Sequence, residues 1–296
     1  MRSDAAVIAG SHARSRDFVA LAKPRLNLLV VASTLVGYAM ADGEALGFLR
    51  VAGLLLGTGL VAGGASAFNQ VIERDLDALM KRTRTRPLPD QRLQPIEALL
   101  FGSAITLTGL VVIVMSANLL AAAVALATLL SYVAVYTPLK RRSSFGTVIG
   151  AIPGALPPII GWAAASDALP PRAWVLFGIM FLWQLPHFLV IAWMYREDYA
   201  RAGFPMLPVL EPDGRSTGRQ AVVYAAALVP LSLAPTLMRM AGEAYFAGAL
   251  VLGLAFLGLT LQFSRTRSAR DARRVFFGSI VYLPLLWSLM IANRIQ

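Results

Sequence analysis

The stretch "NQVIERDLDALMKRTRTRPLP", residues 69 to 89, holds the side chains of this chain best suited to chemistry. Asn69, Glu73 and Asp77 are spaced i, i+4 and i+8, so on a helix they share one face, drifting by about 40° per step, while Asp75 points elsewhere. At 1.5 Å per residue the ladder extends over roughly 12 Å, too far for its backbone positions to surround one ion closely. Two cations bridged by a polyanion fit that length better. Oxygen-only donors suit Mg²⁺, which takes one or two carboxylates and completes its shell with water and substrate phosphates. The basic run "KRTRTRP" follows directly, and arginine offers planar bidentate donors to phosphate oxygens. Acids for a metal beside bases for phosphate are what a diphosphate requires. The competing reading is a solvated helix end, with Glu73 or Asp77 paired to Lys81 for roughly a few tenths of a kcal/mol.

A second polar cluster ends the segment "FLWQLPHFLVIAWMYREDYARAGFPMLP", residues 181 to 208, where Glu197, Asp198 and Arg201 follow a long apolar run. Ionisable groups at membrane depth are costly and point to function, although ordinary interface residues would also fit here. His187 lies about ten residues before that polar end, within the apolar run, and the other histidine is His12. It is either a hydrogen-bonded packing residue or a ligand or acid/base group.

These clusters need membrane helices to position them. The chain is 57% hydrophobic and only 15% charged, with a mean hydropathy of +0.64, as expected where the solvent is mostly lipid. Apolar windows able to cross a ~30 Å hydrocarbon core, each about 20 residues long, recur throughout. They fall at 26–42, 47–72, 97–115, 117–137, 146–166, 173–195, 220–238, 244–264 and 274–293. The fifth carries three prolines that should kink or break it inside the bundle. Loop charge tests this count: of 27 Lys and Arg, all but Arg50, Arg172, Arg239 and Arg294 fall at the N-terminus or in alternate loops. The expected fold is therefore all-α, a polytopic membrane protein with nine transmembrane helices, its N-terminus cytoplasmic and its C-terminus outside. Residues 1–25 read as a cytosolic arm without the apolar core of a secretory signal, and 26–296 as one transmembrane domain.

The net charge of +11 then belongs to the cytoplasmic face, where topology and anionic lipid account for much of it. Nucleic acid is not an expected partner, because the bases are spread over several loops without a reader motif. The chain has no cysteine, which excludes disulfides, thiolate metal sites and cysteine nucleophiles.

With both clusters placed, the sequence resembles the protoheme IX farnesyltransferases, or heme O synthases, a branch of the intramembrane aromatic prenyltransferase superfamily. The matching stretches are "KPRLNLLV" (23–30), "NQVIERDLDALMKRTRTRPLP" (69–89), "YTPLKRRSSFGTVIGAIPGALPPIIGW" (136–162) and "LWQLPHFLVIAWMYREDYARAGFPMLP" (182–208). The ladder marks the superfamily, and the "YTPLKR" and "LPHF" blocks point to the heme branch. The resemblance implies that Asn69, Glu73 and Asp77 hold Mg²⁺ on farnesyl diphosphate, that Arg82, Arg86, Lys140 and Arg141 grip its phosphates, and that Asp198 serves a second metal-side cluster. Many relatives carry Asp where this chain has Glu73; the carboxylate is kept, but its longer reach leaves open which metal it touches. His187 and its neighbours would seat or ligate heme B.

The implied reaction is transfer of farnesyl to a heme vinyl group with addition of water, in a bacterial inner membrane. A heme A synthase or an oxidase assembly factor is the protein partner the resemblance brings with it. Phe68, Tyr136, Trp183 and Phe188 could flank a cation or the isoprenoid tail, or simply pack. A quinone-precursor or chlorophyll-type prenyltransferase would use the same ladder. A cation-coupled transporter would use intramembrane acids as its ion path, but here they gather at one face of the membrane.

Overall fold

The computed structural model describes residues 14–41 and 46–295, and its long elements are all helices. Helix α1 (Arg14–Ala22) runs into α2 (Pro24–Met40) through a 41° bend at Lys23, whose backbone is left-handed at φ 47°. Pro24 explains the bend, because a proline disfavours helical backbone in the residue before it yet suits the first turn of the helix that follows. Residues 1–13 of the expected arm lie outside the described residues. Residues 14–22 are helical, and Leu21 is fully buried in a small cluster with Ala67, Leu88, Leu93 and Ala98.

Next come α3 (Phe48–Leu79), α4 (Pro95–Ser116) and α5 (Leu119–Leu130), which passes through a widened π turn (Ser131–Tyr136) into α6 (Thr137–Leu139). The fifth span is divided into α7 (Gly146–Ala155) and α8 (Pro157–Ser166), and α9 (Pro171–Met194) follows. Two short helices, α10 (Arg196–Arg201) and α11 (Leu207–Leu210), lead to α12 (Arg215–Leu237), α13 (Glu243–Thr266) and α14 (Ala269–Ala292). Among the described residues, eight helical stretches are long and apolar enough to cross a membrane, and the bent α1–α2 pair makes nine. The protein is an integral membrane helix bundle, with spans close to those its hydropathy predicts.

Two apolar cores hold the bundle. One joins residues of α2, α8, α9, α12, α13 and α14, and the other joins α3, α4, α5 and α8. Helix α8 belongs to both, and all its residues from Pro157 to Ala164 are buried. The expected proline break falls at Leu156, between Pro153 and the Pro157–Pro158 pair, and all three prolines are buried. Such a break is tolerated at membrane depth where the protein surrounds it.

Helix α3 fixes the place of the ladder. Its 32 residues make a rod about 48 Å long, well beyond the ~30 Å hydrocarbon core, so its last turns reach the polar boundary. The apolar half builds the bundle, and the acidic half serves its mouth.

Candidate active site at the mouth of the bundle

Burial bears first on the solvated reading of the ladder. Asn69, Glu73 and Asp77 are only 3%, 3% and 1% exposed, so this face of α3 is not a solvated helix end. Asp75, on another face, is exposed, as are Lys81 and Arg82. The two buried carboxylates find other cations instead. Glu73 Oε1 lies 2.6 Å from Lys140 Nζ, and Asp77 Oδ2 accepts from Arg86 Nη1 at 2.6 Å. The Asp77 pairing comes from local folding. Beyond α3 the chain turns back on itself, with Thr83 Oγ1 donating to the Asp77 carbonyl at 2.8 Å, and this return brings Arg86 to Asp77.

Lys140 arrives from α6. The π turn before it adds one residue per turn of helix, which re-aims the "YTPLK" block, and such turns frequently mark functional sites. Thr137, fully buried, donates to the Tyr132 carbonyl at 2.9 Å and accepts from Asn69 Nδ2 at 3.2 Å. That contact leaves the Asn69 carbonyl oxygen as its metal-competent atom. Lys140 Nζ also sits 5.2 Å from the Tyr136 ring centre and 5.5 Å from that of Phe204, so aromatic faces line its approach. Arg141 is exposed beside it.

The second cluster reaches the same mouth. Met80, Ala192, Ala202, Phe204 and Met206 form an apolar clasp that packs the α10 region onto the end of α3. Arg82 stands 5.2 Å over the Tyr195 ring at the α9–α10 junction. Asp198 is buried and accepts from Arg201 at 2.7 Å, whereas Glu197 is exposed. Among the described residues no three His, Asp or Glu side chains converge into a ready-made metal cage. Asp198 therefore shares the mouth with the ladder without joining its carboxylates in one cluster.

Behind the mouth lies a mainly apolar cavity of about 390 Å³, within the size range of small-molecule sites. It runs from Lys23, Asn27 and Tyr136 to Trp183, His187 and Phe188. His187 Nδ1 is 2.7 Å from Ser279 Oγ, and its ring is stacked on Trp183 and Phe276. Three of the four aromatics singled out in the sequence line this cavity; Phe68 instead packs against the α3–α4–α5 core, because the far side of α3 faces that way. Lys23 and Tyr132 line the cavity and were given no role on sequence grounds. The Lys-Pro pair at 23 and 24 is the signal that could have marked Lys23, since a left-handed non-glycine residue often marks a functional position.

A polar ladder with its cations at one end of an apolar cavity, inside a helix bundle, is the arrangement expected of an intramembrane prenyltransferase, and the class of protein follows from comparison with known proteins. Residues 30–289 match the UbiA prenyltransferase family, and the chain belongs to that family. It is 48% identical over 288 residues to the protoheme IX farnesyltransferase of Solibacter usitatus (strain Ellin6076), covering 94% of this chain and 99% of that one. The protoheme IX farnesyltransferase of Opitutus terrae (strain DSM 11246 / JCM 15787 / PB90-1) is 41% identical over 286 residues, covering 96% and 97%. The fold is shared with digeranylgeranylglyceryl phosphate synthase at a TM-score of 0.78 and 16% identity, covering 95% of this chain and 98% of that one. It is also shared with a UbiA homolog from Archaeoglobus fulgidus bound to GPP and Mg²⁺, at a TM-score of 0.67 and 17% identity, covering 93% and 99%.

Proposed function

We propose that the protein transfers the farnesyl group of farnesyl diphosphate to a vinyl group of heme B, giving heme O and diphosphate. The observation that carries this is the pair of buried carboxylates on one face of α3, each closed by a cation from a different segment, at the mouth of an apolar cavity. The heme acceptor draws its support from the relatives named protoheme IX farnesyltransferase.

The donor set fits Mg²⁺. Asn69, Glu73 and Asp77 offer only oxygen ligands, with Asp198 on the α10 segment packed onto the end of α3, and hard divalent cations prefer such atoms. Glu73 Oε1 is buried and close to Lys140, yet the contact lies off the hydrogen-bonding direction, so the charge is compensated while a directed partner is still wanted. When bound, Mg²⁺ would supply Lewis-acid stabilisation of charge on the diphosphate oxygens.

The chain's own residues do the rest by exchanging partners. Without substrate, Lys140 and Arg86 neutralise Glu73 and Asp77; with substrate, both cations would turn to the phosphates, freeing the carboxylates that would hold Mg²⁺. Arg82 and Arg141, exposed at the rim, draw the diphosphate in. Cations already in place stabilise the leaving group as the farnesyl C1–O bond breaks and its electron pair goes to diphosphate. The vinyl π electrons then form the C–C bond to C1. Water adds to the resulting porphyrin-side cation and loses a proton, leaving a hydroxyethylfarnesyl group. The apolar cavity wall keeps bulk water away until that last step. His187 seats the heme.

The ladder lies on the cytoplasmic face of a bacterial inner membrane in this reading, with the N-terminus on that side and the C-terminus outside; the gathering of Lys and Arg in alternate loops supports the orientation. A heme A synthase or oxidase assembly factor would take up the product.

The test is turnover of heme B and farnesyl diphosphate by the detergent-solubilised protein with Mg²⁺, with and without EDTA, read by mass spectrometry of the extracted porphyrin. A gain of farnesyl plus water, lost with EDTA, is expected. Prenylation of a hydroxybenzoate or naphthoate with no heme product would move the enzyme to the quinone-precursor branch.

A further inference from the structure

His187 is held more tightly than a packing residue requires. It is one helical turn from Trp183 on α9, and the two rings stack at 5.5 Å with 19° between their planes. Phe276 of α14 covers the imidazole at 5.0 Å and 22°. Both α9 side chains then bond to the same α14 residue: Trp183 Nε1 donates to the Ser279 carbonyl at 2.8 Å, and His187 Nδ1 meets Ser279 Oγ at 2.7 Å. Ser279 is fully buried, so these contacts are not shared with water.

Counting protons settles who donates. A serine hydroxyl has one hydrogen to give and two lone pairs to receive with. Ser279 Oγ sits 2.6 Å from the Phe276 carbonyl, which can only accept. If Ser279 gave its proton to His187, two oxygens would face each other at that distance with no hydrogen between them. Only a protonated Nδ1 donating to Ser279, which in turn donates to Phe276, places a proton in every close contact. In a neutral imidazole that leaves Nε2 deprotonated, and His187 lines the cavity.

We infer that Ser279 is a positioning residue: it locks His187 in the Nδ1–H form, with its ring plane clamped between two aromatics, so that Nε2 presents a lone pair to the acceptor porphyrin and binds its iron. An imidazole that ligates a metal usually donates its other N–H to a neighbouring group, which fixes the tautomer and the ring orientation. The metal half of this inference rests on the proposed heme acceptor; the tautomer half does not.

The first experiment needs no heme. The chain has two histidines, so His12→Gln leaves His187 as the single imidazole signal of a ¹⁵N-histidine-labelled sample. At pH ~8, where an ordinary imidazole is neutral, a protonated Nδ1 and a bare Nε2 are expected. The reverse tautomer would overturn the inference outright.

The second experiment titrates heme B into the full-length protein and follows the Soret band. Ser279→Ala should lower heme affinity about 10- to 100-fold, Ser279→Thr should restore it, and farnesyl diphosphate binding should stay unchanged in both. If His187→Ala loses heme and Ser279→Ala keeps it, the positioning role is wrong while the heme reading stands. If His187→Ala itself keeps an unaltered heme spectrum, iron ligation by His187 is wrong, and the ligand assignment falls with it.

Discussion

At the residue scale, the proposed mechanism turns on the cation that each buried carboxylate holds and that a diphosphate would take away. Asp77 is almost wholly buried while Arg86 keeps a fifth or so of its side chain in solvent, so the guanidinium can swing to a phosphate without abandoning hydration. Asp77→Asn keeps shape and removes charge. It should cut turnover by about 10²-fold or more, in line with the loss of one charge-stabilising contact, while the melting temperature stays near that of the parent. Near-normal turnover in the porphyrin assay would mean that Asp77 is not a ligand. Lys140→Met should weaken farnesyl diphosphate binding, seen as a raised KM, and should leave heme titration alone. Equal losses for both substrates would place Lys140 in the fold instead of the phosphate grip. The i, i+4, i+8 spacing made the acids legible in the sequence, but not their partners. Lys81 looked the natural mate at helical spacing; the return of the chain at Thr83 gives Asp77 to Arg86, and Glu73 is answered from α6, 67 residues away in sequence.

At the element scale, the features that aim these residues are the ones that interrupt helices. The proline break between α7 and α8 was readable because proline acts through its own missing N–H. The π turn at 131–136 was only half readable: Pro138 just beyond it signals a disturbed helix, but nothing in "SYVAVY" says that the disturbance takes the form of a widened turn. The start of the first span was hidden, since the charges around α1 obscure its apolar face while tertiary contacts bury Leu21. The crossing of α2 and α8 gives a sharper test. A methyl added at Gly161 would land on the Thr34 carbonyl oxygen and crowd the Tyr38 backbone nitrogen at 2.6 Å, and backbone cannot move aside as a flexible side chain can. Small residues that let helix backbones approach this closely are typical of membrane bundles. Gly161→Ala should therefore destabilise the protein by about 1–3 kcal/mol, as overpacking does, measured by thermal unfolding in detergent. No loss of stability would show that α2 can slide on α8 without cost.

At the scale of the whole molecule, the chemistry proposed for the site depends on which end of each helix faces which compartment, and the charge of the loops predicts an answer. The ladder, Lys140 and the α10 region all occur in segments joined by the arginine-rich loops, so one face of the bundle carries the excess positive charge as well as the acids. A polyanionic substrate would be attracted to that face, and the opposite face has only four Lys or Arg by the loop assignment. The absence of native cysteine makes the orientation directly measurable. By the loop assignment Ala168, exposed in the loop between α8 and α9, is expected on the outer face, and Glu211, exposed between α11 and α12, on the cytoplasmic one. In spheroplasts, a membrane-impermeant maleimide should label Ala168→Cys at once and Glu211→Cys only after the membrane is permeabilised. The reverse pattern would put the ladder outside, where positive loops are disfavoured, and would require the diphosphate to reach the enzyme from the outer compartment.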